Sequence, residues 1–150
     1  MWFSFEGPTC GGVPHAWRSD LVAVLRAFHG GPHPDDVVIA AGELVSNGVE
    51  HGGGVRRLHV RGRRGLVTVE VEDFRPSLVR LRDVASRPDG SRGLQIVEAV
   101  ADNWGWRPSE VGKTVWATFL PEDEQESRPP RPSIRLVGPA SDVFGRASGG

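Results

Sequence analysis

Glu43-Leu-Val-Ser-Asn47-Gly-Val-Glu-His51 sets a carboxylate, an amide and an imidazole four residues apart within an otherwise apolar pattern. At the α-helical repeat the three side chains drift by only about 80° and cover about 12 Å of axis, so they share one face. Val37, Ala41 and Leu44, continued by Gly48, form the apolar stripe of the same helix, and the polar stripe borders it instead of opposing it. Polar groups on such a border line a cleft; the alternative is a solvated surface helix whose polar spacing is coincidental. Pro34-Asp35-Asp36 suits the helix start, with proline preset for the first turn and carboxylates at the positive end of the dipole. Gly52-Gly53-Gly54 supplies the stop directly after His51.

The 150 residues suit one domain with a sizeable core, and 38% hydrophobic with 25% charged residues is ordinary globular composition. A net charge of −1 provides no broad attraction to nucleic acid or to an anionic membrane, so neither is expected as a partner. Basic residues are nearly all arginine, with Lys113 the sole lysine. Cys10 is the only cysteine, which excludes an internal disulfide and a cysteine-based zinc site. The start Met1-Trp-Phe-Ser-Phe-Glu6 has neither a basic leader nor a long apolar run. A cytoplasmic protein is the expectation.

Outward from the polar helix, Trp2 to Glu6 reads as a strand broken by the Gly7–Pro14 glycine and proline cluster. Trp17, Leu21, Val24, Leu25 and Phe28 recur at helical spacing up to Gly30-Gly31-Pro32. Arg57 to Arg61 and Leu66 to Val71 alternate apolar and polar residues around a Gly62–Gly65 turn, the pattern of a hairpin with one buried face. Phe74 to Gly90, with two prolines and six charges, reads as a mobile loop. Ser91, a plausible N-cap, opens a helix carrying Leu94, Ile96, Val97, Val100 and Ala101, and Thr114 to Leu120 forms a last strand. From Pro121 the composition turns to Pro, Ser, Glu, Arg and Gly, so the expected organisation is a domain over 1–120 and a disordered tail over 121–150. Strand, helix, helix, hairpin, loop, helix, strand predicts an α+β two-layer sandwich, with helices on one face of a mixed or antiparallel sheet.

Four segments in this order, Glu43-Leu-Val-Ser-Asn47 with His51, Val71-Glu-Asp73, Ser91-Arg-Gly-Leu-Gln-Ile-Val97 with Ala101-Asp-Asn-Trp-Gly105, and Gly112-Lys-Thr-Val-Trp116, resemble the ATP-binding domain of bacterial anti-sigma-factor serine/threonine kinases, a branch of the Bergerat-fold ATPases. The resemblance spans about residues 14 to 120. It implies ATP and Mg2+ as cofactors, with Asn47 holding the ion through its amide oxygen and Glu43 acting as general base. Asp73 would accept a hydrogen bond from the adenine amino group, with Thr114 beside the base on the neighbouring strand. Gly93, followed by Leu94, would let phosphate approach the start of its helix, and Arg92 would add a positive charge. His51 takes a supporting role. The blander reading of each holds beside it: a surface glutamate, a turn aspartate, a glycine at a helix start, a β-former in a strand.

The activity so implied is phosphorylation of a STAS-domain anti-anti-sigma protein, with a sigma factor as a second partner and a homodimer left open. A nucleotide-gated binding module that transfers no phosphate is the alternative from another class, and a histidine-kinase catalytic fragment is a third. Asp73-Phe74-Arg75-Pro76-Ser77 departs from the family pattern, which carries glycine two residues after the aspartate. The arginine-rich stretch before Gly93 would be the ATP lid, hinged at Asp89-Gly90. Gly48 replaces a frequent alanine, at an expected cost of about 1 kcal/mol of helix stability.

Overall fold

Residues 55–63 and 66–73 alternate buried and accessible positions almost without interruption, and that alternation organises the molecule. A computed structural model of the chain describes residues 1–9, 16–76 and 93–126. Its elements are β1 (Trp2–Thr9), α1 (Ala16–Arg26), α2 (Pro34–His51), β2 (Val55–Arg63), β3 (Leu66–Asp73), α3 (Gly93–Val100), β4 (Asn103–Pro108), β5 (Lys113–Phe119) and α4 (Glu122–Glu126). The strands form one sheet in the order β1-β2-β3-β5-β4, every neighbouring pair antiparallel. Helices α1, α2 and α3 cover one face, giving the α+β two-layer sandwich of a Bergerat fold.

The covered face follows from strand parity. Leu58 and Val60 of β2, Val67, Val69 and Val71 of β3, and Val115, Ala117 and Phe119 of β5 are all buried in one apolar cluster. Helix α1 contributes Trp17, Leu21 and Leu25, and α2 contributes Val37, Ala40, Ala41, Leu44 and Val45. The other face carries ion pairs. Glu70 bridges Arg61 at 3.1 Å and Arg107 at 2.7 Å, Arg56 pairs with Glu72, and Arg57 Nε lies 2.9 Å from Glu6. Trp116 is nonetheless buried there because Gly105 opposite it has no side chain: a Cβ at Gly105 would meet the indole at 2.8 Å.

Helix α2 spans the residues its pattern predicts. His33 caps it by accepting a hydrogen bond from the Asp35 N–H at 3.4 Å, Pro34 and the two aspartates fill the first turn, and the Gly52 N–H closes the last turn onto the Asn47 and Gly48 carbonyls. Gly53 and Gly54 then take positive φ values of 75° and 113°, which glycine adopts without steric cost. Gly48 is more than a weak helix former. A Cβ there would approach Val55 Cγ2 to 2.7 Å, so glycine lets α2 close onto the sheet.

Strand β4 is absent from the order expected of the sequence, and it forms the edge beyond β5. Its Trp104 and Trp106 enter the core from alternate positions, and the Trp104 indole N–H donates to Glu98 on α3. At the far end, Pro121 is buried and 122–126 form α4, the first residues of the segment read as a tail. The remainder of that tail, most of the Phe74–Gly90 loop, Ser91 and Arg92 lie outside the described residues. Among the described residues no helix is long and apolar enough to cross a membrane.

Candidate functional site

Helix packing brings the bare backbone of Gly93 against the polar border of α2. A Cβ on Gly93 would lie 2.6 Å from Glu43 Oε2, 3.4 Å from Asn47 Oδ1 and 3.6 Å from Asn47 Nδ2. The start of α3, where backbone N–H groups lack intrahelical partners, therefore adjoins a carboxylate and an amide. Glu43 and Asn47 are both half-buried, and the Asn47 Nδ2 atom is buried with no hydrogen-bond partner among the described residues. An orphaned buried amide is costly, and one facing a helix start and a carboxylate marks a place shaped for something polar.

The end of the same helix reaches Asp73. Gly52 packs so closely on this aspartate that a Cβ would fall 2.5 Å from both Cγ and Oδ2. The carboxylate is almost wholly buried, at 3% exposure. Its Oδ2 lies 2.8 Å from Lys113 Nζ, and its Oδ1 accepts hydrogen bonds from Lys113 Nζ at 3.1 Å and from the Arg75 N–H at 3.0 Å. Burial pushes the Asp73 carboxyl above its usual pKa, even though the Lys113 hydrogen bond and charge and the Arg75 N–H pull it down. Gly112 makes the contact with β5 feasible, since a Cβ on it would sit 2.2 Å from the Asp73 carbonyl oxygen.

The model of the histidine kinase-like ATPase domain matches residues 13–119, which hold the whole of this arrangement. The chain belongs to that family. No curated protein matches it closely enough to count as a relative. As a histidine kinase-like ATPase domain the chain is an ATP-binding, kinase-like module, and its polar residues can be sorted by where the fold puts them.

Glu43, Asn47 and Gly93 meet in one cluster of this ATPase domain, and Asp73 lies against the C-terminal end of α2 at Gly52. Leu94 adjoins the cluster through the backbone, but its side chain is buried in the apolar core. His51 is exposed, with Nε2 3.8 Å from Glu50, and stands outside both contacts. Thr114 is a correction. It pairs in register with Glu72, and residues paired across antiparallel strands share a face. Thr114 therefore lines the charged face of the sheet with Arg57, His59, Glu70 and Arg107, away from the helices. The β5 residue facing Asp73 is Lys113. Gly112 and Lys113 fall within the Gly112–Trp116 motif and Gly52 within the helix stop, but the motifs assign none of the three a part in the site.

Proposed function

We propose that this domain is an ATP-dependent serine/threonine protein kinase of the anti-sigma-factor type, which phosphorylates a STAS-domain anti-anti-sigma partner and also engages a sigma factor. The observation that carries the reading is the approach of the Gly93 backbone to Glu43 and Asn47. A triphosphate lying against the start of α3 would have its anionic oxygens at free N–H groups. Glu43 Oε2 would then stand beside the reacting end. The hydroxyl oxygen of the partner attacks the γ-phosphorus, the bond from that phosphorus to the β–γ bridging oxygen breaks to release ADP, and the hydroxyl proton passes to Glu43.

Asn47 fits a magnesium ion. Its amide oxygen is a hard neutral ligand, its Nδ2 is committed to no other residue described, and magnesium takes few protein ligands while keeping water and phosphate oxygens. Bound there, the ion would neutralise charge on the phosphates. Asp73 would accept a hydrogen bond from the adenine amino group, at the C-terminal end of α2 and about two to three turns from Glu43.

A second reading, an ATP-gated binding module without phosphotransfer, draws support from Asp73. Its carboxylate is already engaged by Lys113, and the following Phe74-Arg75-Pro76 lacks the glycines of the family's adenine loop. One pair of measurements separates the two. Glu43→Gln keeps the side-chain size; it should retain Mg-ATP affinity by calorimetry and lower transfer of labelled phosphate to a STAS-domain substrate by about 10²–10⁴-fold. Wild-type transfer rates in Glu43→Gln would remove the base assignment. Absence of transfer from the wild-type protein to a partner it binds would favour the binding module.

A further inference from the structure

We propose that Lys113 is a positioning residue for base recognition: it holds the buried Asp73 carboxylate ionised and oriented, and ties down the Asp73–Arg75 turn. The inference rests on the ATP-binding reading and deepens it.

A lysine ammonium has three donors. Lys113 donates two hydrogen bonds, to Asp73 Oδ1 at 3.1 Å and to the Arg75 carbonyl oxygen at 3.0 Å, and its Nζ forms an ion pair with Asp73 Oδ2 at 2.8 Å. Both side chains of the pair are nearly inaccessible, at 6% and 4% exposure. With its ammonium buried against the Asp73 carboxylate and the Arg75 carbonyl, Lys113 is placed to hold these groups and not to read the base itself. It acts through Asp73, whose Oδ1 accepts two hydrogen bonds from the described residues while Oδ2 is held by the ion pair alone. The accepting capacity left on Oδ2 is what an exocyclic amino group would use.

Burial already pushes the Asp73 carboxyl up despite the ammonium beside it. Without Lys113 the group would move further toward its neutral form and lose the charge-assisted hydrogen bond, the stronger kind. The Arg75 contact adds a mechanical part. Where the family pattern places glycine two residues after the aspartate, this chain has Arg75, and Lys113 fixes that residue's carbonyl while Asp73 fixes its N–H. Gly112 brings the two backbones together, since any Cβ there would collide with Asp73, Phe74 and Arg75 main-chain atoms within 2.8 Å.

Lys113 is the only lysine in the chain, so full-length protein labelled with ¹⁵N-lysine has a single Nζ resonance. Mg-ATP and adenosine should both shift that resonance, and inorganic tripolyphosphate should leave it in place. Lys113→Met should weaken Mg-ATP binding about tenfold or more, as loss of a charge-assisted contact implies, with tripolyphosphate affinity unchanged. Made in an Asp73→Asn background, the same substitution should add little further loss, because its effect passes through the carboxylate. Binding of Mg-ATP that leaves Nζ unmoved overturns the inference and spares the ATP-binding reading. Equal losses for Mg-ATP and tripolyphosphate in Lys113→Met also overturn it, since they indicate general damage. A wild-type protein that binds no Mg-ATP overturns both. The resonance measurement uses the native chain and holds even where a variant fails to fold.

Discussion

Gly93→Ala is the sharpest probe of the cluster where α2 meets α3. The added methyl would start 2.6 Å from Glu43 Oε2, whereas ordinary contact begins at 3.4 Å, so the carboxylate oxygen must retreat by about 0.8 Å. It can do so. Glu43 is half-buried and ends in a flexible side chain, while the Asn47 amide oxygen, 3.4 Å from the new atom, needs little adjustment. Alanine also suits a helix better than glycine by roughly 0.5–1 kcal/mol. The fold should therefore survive, with a melting temperature within a few degrees of wild type. Chemistry should not, because a displacement near 1 Å at a reacting group costs about 10²-fold. Single-turnover transfer of labelled γ-phosphate to a STAS-domain substrate, read beside the melting curve, measures both. A Gly93→Ala protein with wild-type transfer rate and wild-type melting would show that the α3 start and Glu43 do not work together.

Asn47→Ala should weaken Mg-ATP binding in calorimetry while nucleotide binding without magnesium changes less; equal losses would remove the amide from ion binding. Gly48→Ala tests packing against propensity: the 2.7 Å approach to Val55 predicts destabilisation of about 1–3 kcal/mol in urea denaturation, whereas helix propensity alone predicts a gain of about 1 kcal/mol. For Glu72, burial raises the pKa, but hydrogen bonds from Ser109 and Arg56 outweigh it and leave the carboxyl below its ordinary 4.5. A lowered folded-state value means stability that is present above the ordinary value and lost as pH falls through the lowered one. Melting temperature should thus drop with acidification below pH 4.5, less steeply in Glu72→Gln, and parallel curves would contradict the assignment.

The elements set by local periodicity are legible in the amino-acid order itself. Helix α2 runs over the expected Pro34–His51, and the β2–β3 hairpin forms around the expected turn, because glycine stops and period-two alternation act on near neighbours. What escapes such reading depends on pairing. Strand β4 is short, and its Trp104-Gly105-Trp106 alternation is the signal that could have found it. The parity of β5 is another: with Val115, Ala117 and Phe119 facing the core, Thr114 must face away, and Lys113 becomes a charge at a core position. Such a charge demands a partner. That the partner is Asp73, forty residues earlier, follows only from the order β3-β5. The depth at which Gly52 and Gly112 meet Asp73 likewise has no local signature.

Helix α2 works as a ruler. From Glu43 to the Gly52 cap it carries the residues that face both ends of the candidate ligand site, separated by about 13 Å at the helical rise. A rigid bar transmits any shift along its whole length. A core substitution that tilts or slides α2 would move the proposed reacting end and the proposed base end together, so repacking beneath the helix offers no way to adjust one without disturbing the other. Independent tuning is left to the parts the bar does not carry, the α3 start and the β5 strand. Drift in affinity without drift in chemistry should therefore concentrate around Lys113 and Gly112, and drift in chemistry without drift in affinity around Gly93.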